Sequence, residues 1–421
     1  MTLTRLRHVC RVNPATPEFV RLSDEASVTF LPMEAVWPGE RLDLSQRRAK
    51  AQVATGYTRF QSGDVLVPKI TPTFEAARSI LTPDLDTGVG AGTTELHVLR
   101  PGGQIDARYL CYVANSVPFL RLGEAEMYGV AGQKRVPDTF IRNFEVDLPA
   151  LSEQRRIADF LDAETARIDE LCRLTYSQVN LLDERLTCLM RHLTVGGSEA
   201  MRPTGIPWMP LMATSWRLGK VAQLFRTGSG TTPTASNPHY FDGELPWVNS
   251  ADVRDARISH TVRSITSLAV KDFPSLKRQP IGAMVIAMYG QGQTKGRVGL
   301  LGVKAFLNQA CCALTPLGDL LPEFAFFWFR AYKEGIVSLA LGAGQPNLSQ
   351  DLIREIRIPV PDLTTQRDVV SRLKVAERQI SAQRRVLLHR NSLLAERRQA
   401  LITAAVTGQF DLTTAGSVGA E

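Results

Sequence analysis

Leu148-Pro-Ala-Leu-Ser-Glu-Gln-Arg155 returns as Val360-Pro-Asp-Leu-Thr-Thr-Gln-Arg367, with Pro, Leu and Gln-Arg in the same places at an offset of 212 residues. The same offset pairs Gly132-Gln133 with Gly344-Gln345, Ile141-Arg142 with Ile353-Arg354, and Gly196 with Gly408. Leu182, Glu184-Arg185 and Leu189 likewise fall on Leu394, Glu396-Arg397 and Leu401. Matches kept in step over so long a stretch mean two copies of one unit.

Each copy closes on a helix. Leu373, Ile380, Leu387, Leu394 and Leu401 recur every seventh residue, and the first copy answers with Leu161, Ile168, Thr175, Leu182 and Leu189. A seven-residue apolar repeat marks a helix packed along another helix. Ser152, and Thr364 or Thr365, read as N-caps. Neither helix meets Gly or Pro before Gly196 or Gly408, which read as stops. The first helix is rich in acids, among them Asp162, Asp169 and Asp183. The second is rich in arginine, among them Arg384, Arg390 and Arg398. Opposite charges favour pairing of the two in an antiparallel coiled coil, each helix about 60 Å long at 1.5 Å per residue. Two solvated faces of a larger bundle are the alternative.

The remaining sequence reads as mixed α/β. Strands are predicted at 64–69, 95–100, 283–289 and 297–303, and short helices near 107–116 and 323–333. The expected organisation is a first α/β domain at 1–151, a helix at 152–196 and a linker at 197–210. A second domain at 211–362, a helix at 363–408 and a tail at 409–421 complete it.

The 421 residues carry a net charge of +7 and 44% hydrophobic residues, an ordinary globular composition with a modest basic excess. Six scattered cysteines without C-x-x-C spacing argue against a zinc ribbon or a disulfide framework. No signal peptide or membrane span is read, so a cytoplasmic protein is expected. Catalytic motifs fail on inspection. Asn237-Pro-His-Tyr240 departs from the Asn-Pro-Pro-Tyr loop of amino-methyltransferases at His239 and lacks a preceding Gly-rich cofactor loop. Gly290-Gln-Gly-Gln-Thr-Lys-Gly296 lacks phosphate-loop spacing. No nucleophile–base set or metal cluster is proposed, so a self-contained enzyme is the weakest reading.

The two α/β domains alternating with two long helices resemble the specificity subunits of type I restriction–modification systems. The most specific stretches are Leu148 to Asp162, Pro361 to Arg367 and Leu401-Ile-Thr-Ala-Ala-Val-Thr-Gly408. Pro246 to Asp252 and Gly344 to Ser349 also look like the family, whereas the first domain departs further from its wording. The resemblance implies a non-catalytic DNA reader whose two target-recognition domains each take one half of a bipartite duplex target. It also implies helices that set the spacer and dock two modification (methyltransferase) subunits, joined in some systems by two restriction (translocase and nuclease) subunits. Any S-adenosylmethionine, ATP and Mg would then belong to those partners, with no cofactor in this chain. An adaptor of another phage-defence or DNA-processing assembly is the competing reading.

Phosphates call for Lys and Arg, and base edges for amides and forked donors. The duplicated loops put Gln133, Lys134 and Arg135 in the first copy opposite Gln345 and Asn347 in the second. Residues after the central strands add Lys69, Thr71, Thr73 and Arg78, and then Tyr289, Gln291, Gln293, Thr294, Lys295 and Arg297. In Gly228-Ser-Gly-Thr-Thr-Pro233, Thr231 and Thr232 stand where backbone amides could approach phosphate.

Overall fold

The computed structural model describes residues 2–38, 42–129, 134–290, 294–340 and 347–409. It divides into two compact units, residues 1–177 with 387–421 and residues 178–386. The boundaries cut through both long helices rather than between helix and domain. Each unit therefore holds one α/β domain, the start of one long helix and the end of the other.

In the first unit two four-stranded sheets carry the domain. One orders Cys10–Val12, Leu96–Pro101, Val65–Pro68 and Ile80–Leu81, all antiparallel. The other orders Arg47–Ala49, Ser27–Leu31, Val89–Gly92 and Thr58–Gln61, with only its central pair parallel. In the second unit a five-stranded sheet runs Phe225–Ser229, Cys311–Pro316, Met284–Ala287, Val298–Leu301 and Ala256–Ile258. A three-stranded sheet of Arg263–Ile265, Phe241–Val248 and Phe306–Leu307 stands beside it. The central strands Val65–Pro68 and Met284–Ala287 are buried on both faces, as their unbroken apolar sequences require.

The repeat extends to the start of each copy. Thr2–Arg5 pairs antiparallel with Glu145–Leu148, and Arg217–Lys220 pairs the same way with Arg357–Val360. A one-turn helix follows each, and Leu6 N–H donates to the Phe144 carbonyl as Val221 N–H donates to that of Ile356. This opening strand and its partner close each domain into a loop before the chain turns up a long helix.

The long helices are Leu151–Leu193 and Leu363–Val406. Within each unit the start of one lies antiparallel to the end of the other. In the first, Ile157 and Leu161 share a core with Ile402, Ala405 and Val406. Further along, Arg398 meets Asp169 at 3.4 Å and Asn391 Nδ2 donates to the Cys172 carbonyl at 3.5 Å. In the second, Leu186, Met190 and Leu193 join Val369, Val370, Leu373 and Ile380, and Arg384 meets Asp183 at 3.2 Å. Of the seven-residue stripe, Leu161, Ile168, Thr175, Leu373 and Ile380 are buried. Leu182, Leu189, Leu387, Leu394 and Leu401 are half-buried. Leu186 and Met190 carry the seam where Leu182 and Leu189 fall to its edge. This drift is what 3.6 residues per turn does to a strict seven-residue pattern.

Three expectations are corrected. The helix N-caps are not Ser152 or Thr364 and Thr365, which lie inside the helices. Asp362 caps the second, accepting from the N–H groups of Thr364 and Thr365 at 2.9 and 3.0 Å. Its counterpart is Ala150, whose side chain can accept nothing. Ala150→Asp is therefore expected to stabilise the chain by about 1 kcal/mol, read as a higher midpoint in urea denaturation. Third, residues 197–210 are no open linker: Met201–Ile206 and Met209–Ala213 form a hairpin. Pro203, Gly205 and Pro207 disguise these strands in the sequence. Trp208 at the turn packs on Trp328 and Tyr332, each with ring centroids 5.8 Å away. The stops hold as read: Gly196 and Gly408 have φ of +72° and +69°, left-handed values that glycine accepts at least cost. Of the expected tail at 409–421, residues 410–421 lie outside the described residues. Among the described residues no helix is long and apolar enough to cross a membrane.

Candidate nucleic-acid interface

The same backbone junction is built in both units. In the first, the central strand ends at Pro68, and Lys69 follows as its continuation. Lys69 N–H donates to the Glu95 carbonyl at 2.8 Å, and its own carbonyl accepts from Val136 N–H at 2.9 Å. In the second, Met288 follows the central strand. Its N–H donates to the Ala310 carbonyl at 2.8 Å, and its carbonyl accepts from Leu348 N–H at 3.0 Å. Val136 and Leu348 close the two duplicated loops and stand at the repeat offset. Each unit thus bonds the residue after its central strand to Val136 or to Leu348.

The join in the first unit is detailed. Thr71 N–H donates to the Lys134 carbonyl at 3.1 Å, and Lys134 N–H returns to Thr71 Oγ1 at 3.3 Å. Lys134 is exposed, and Lys69 and Thr71 are half-buried. Burial lowers the Lys69 ammonium pKa, while neighbouring Glu95 opposes the shift. Lys69 also lines a cleft of about 930 Å³ with Asn13, Arg21, Tyr57 and Arg59. Sequence reading missed those four. They come from separate segments without repeat partners, and only folding gathers them around Lys69.

Other candidates are committed elsewhere. The Arg78 guanidinium donates to the carbonyls of Val36 and Met33 at 2.6 and 2.9 Å and lies 3.7 Å over the Trp37 ring. It thereby braces the 33–37 turn. Thr73 is buried. Arg135 grips Glu95 through three donor contacts of 2.7 to 3.1 Å. This pairing lowers the Glu95 carboxyl pKa and raises that of Arg135. Arg135 therefore braces the loop, and Lys134 beside it carries the outward charge.

In the second unit, Asn347 is exposed, and Tyr289, Thr294 and Lys295 are half-buried. Burial raises the Tyr289 hydroxyl pKa, so it remains a donor. Arg297 lies 3.8 Å from Asp255. Gln133, Gln291, Gln293 and Gln345 lie outside the described residues.

The glycine-rich segment 228–233 serves the fold. A Cβ on Gly230 would stand 2.1 Å from the Asn308 carbonyl oxygen. The N–H groups of Gly230 and Thr231 already donate to the carbonyls of Cys311 and Leu307. The glycine is needed for another strand's backbone rather than for phosphate, and Thr231 Oγ1 bonds Ser275 at 3.0 Å. Thr232 is half-buried.

Asn237 caps the one-turn helix Pro238–Tyr240, accepting from His239 N–H at 3.1 Å, as a surface turn does. Buried His97 contacts the Val136 carbonyl and Asn13, and desolvation lowers its pKa to about 4. Neutral and enclosed at pH 7, it supports the loop junction. Among the described residues no group of three or more His, Cys, Asp or Glu could hold a metal ion.

This architecture has relatives. Residues 214–389 match the family model described as the type I restriction modification DNA specificity domain. The match covers the second α/β domain and the start of the second long helix. It is similar to the Type I restriction enzyme EcoAI specificity subunit of Escherichia coli, 34% identical over 197 residues, or 46% of this chain and 32% of the relative. The EcoEI specificity subunit of Escherichia coli is 32% identical over 193 residues, 45% of this chain and 32% of that protein. The chain thus spans about a third of the length of these curated relatives. Its fold is that of a structure solved for complex assembly and conformational transition of the type I R-M system. That match has a TM-score of 0.74 and 18% identity, over 97% of this chain and 98% of the other. The HsdS subunit from Thermoanaerobacter tengcongensis matches with a TM-score of 0.50 and 17% identity, over 97% of each chain.

Proposed function

We propose that each α/β domain reads one half of a bipartite duplex target and that the paired helices set the unread spacer. The observation that carries this reading is the duplicated loop junction at Lys69 and Met288. Two equivalent loop junctions in one chain suit two half-sites met in the same manner. The helices would dock two methyltransferase subunits, and restriction subunits in systems that possess them. S-adenosylmethionine, ATP and Mg would be bound by those partners, and this chain would supply recognition without catalysis. A cytoplasmic location follows from that role.

The test is a map of adenine methylation across the host genome with and without this gene. Loss of one split motif on deletion is the expected result. Unchanged methylation would overturn the reading in a host whose methyltransferase subunit is expressed. The adaptor alternative would then be pursued through the proteins that co-purify with the full chain.

At the surface itself, Lys134→Ala is expected to weaken duplex binding by similar factors on all sequences. The slope of log affinity against log salt should fall by about 1, because one fewer counterion is released. An affinity loss confined to one base position would instead make Lys134 a base reader.

A further inference from the structure

Two buried glutamines, placed alike in the two copies, tie each recognition domain to its long helix. Gln154 and Gln366 occupy the first turn of the two helices and are fully buried. Gln154 Oε1 accepts from Asp106 N–H at 2.8 Å, while Nε2 donates to the carbonyls of Gln104 and Pro149 at 3.0 and 2.9 Å. Gln366 Oε1 accepts from Leu321 N–H at 2.7 Å, and Nε2 donates to the carbonyls of Asp319 and Pro361 at 2.9 and 2.8 Å. The pattern is the same bond for bond. From the first turn of the long helix, each amide uses both donor hydrogens and its acceptor on two other pieces of backbone: the carbonyl of the proline before that helix, and one carbonyl and one N–H of the segment leading into the domain's own helix, Ala107–Ala114 or Pro322–Ala331. No other side chain of similar size both accepts from one backbone group and donates to two. Burying such an amide is costly unless all its bonds are made. A single shared core would hold a domain against a helix, but apolar packing is non-directional, whereas three amide bonds fix an angle.

We propose that Gln154 and Gln366 are positioning residues that set the angle at which each recognition domain leaves its helix, and through it the spacer the chain accepts. This rests on the bipartite reading above. The experiment is the genome-wide adenine-methylation map of hosts expressing the full chain as wild type, Gln366→Met or Gln154→Met. Methionine keeps the volume and removes the three directed bonds. The expected result is unchanged half-site bases with relaxed spacing. Sites whose spacer is one base pair longer or shorter should be methylated at least about tenfold more often than in the wild type. Either variant, folded by thermal melting, that keeps the wild-type spacer alone would overturn the proposal. Loss of all methylation by a folded variant, or failure of both variants to fold, would also overturn it, because the glutamines would then be needed for more than aim. If the wild-type chain itself produces no split motif, the bipartite reading fails instead.

Discussion

A chain whose residues 217–360 are exchanged for those of another specificity subunit is expected to direct methylation to a motif with one new block and one old block at the old spacing. The boundaries follow from strand pairing. Arg217 lies opposite Val360 and Lys220 opposite Arg357, so cuts outside this ribbon transfer a closed domain. A cut near residue 355 would separate the two strands and leave Arg217–Lys220 without its partner. The exchanged domain must also keep its footing. Phe324, Phe327 and Trp328 share one core with Leu186, Met190 and Leu193 of the first long helix and Leu373 and Ile380 of the second. A hybrid should therefore retain the host residues at those three aromatic positions. Methylome sequencing reads the outcome directly. If both blocks changed, each domain would not be reading its own half-site. If neither changed, the second domain would not be reading DNA.

The repeat was legible because its invariant positions do jobs that few residues can do. Gln154 and Gln366 each serve three backbone groups, and Gly196 and Gly408 adopt positive φ. The opening strands were not legible as a repeat. Thr2–Arg5 and Arg217–Lys220 match through backbone pairing, which leaves little trace in side chains, and at an offset three residues longer. The same division runs through the site. Polar loops repeated in both copies could be picked out, and the residues that follow them, Val136 and Leu348, bond to equivalent strand ends. The commitments of Arg78 to the Met33 and Val36 carbonyls and of Arg135 to Glu95 could not be foreseen, because about 40 residues separate the partners. Gly230 looked like a phosphate-binding glycine for a similar reason. Its constraint comes from the backbone of Leu307 and Asn308, remote in sequence.

Trp328→Ala is expected to cost about 3–5 kcal/mol, a large fraction of the stability of an ordinary domain. The indole is fully buried, with Phe329, Tyr332 and Trp208 around it at centroid distances of 5.2, 5.4 and 5.8 Å. Its Nε1–H points at Met209 Sδ, 3.3 Å away, so the hairpin of residues 201–213 contributes two of its neighbours. Truncation would leave a cavity where the hairpin, the domain helix and both long helices meet in one core. Trp328→Phe, which keeps most of the apolar volume, should cost clearly less. Urea denaturation of the full chain, with hydrogen exchange over residues 322–331, checks both. A loss below about 1 kcal/mol for the alanine variant would mean that the hairpin and helix are not packed as described. The functional signature should differ from that of Lys134→Ala. Trp328 reaches no surface, so its loss should reduce the amount of folded reader and lower methylation at every site in proportion. The spacer and both half-sites should stay unchanged among the molecules that remain folded.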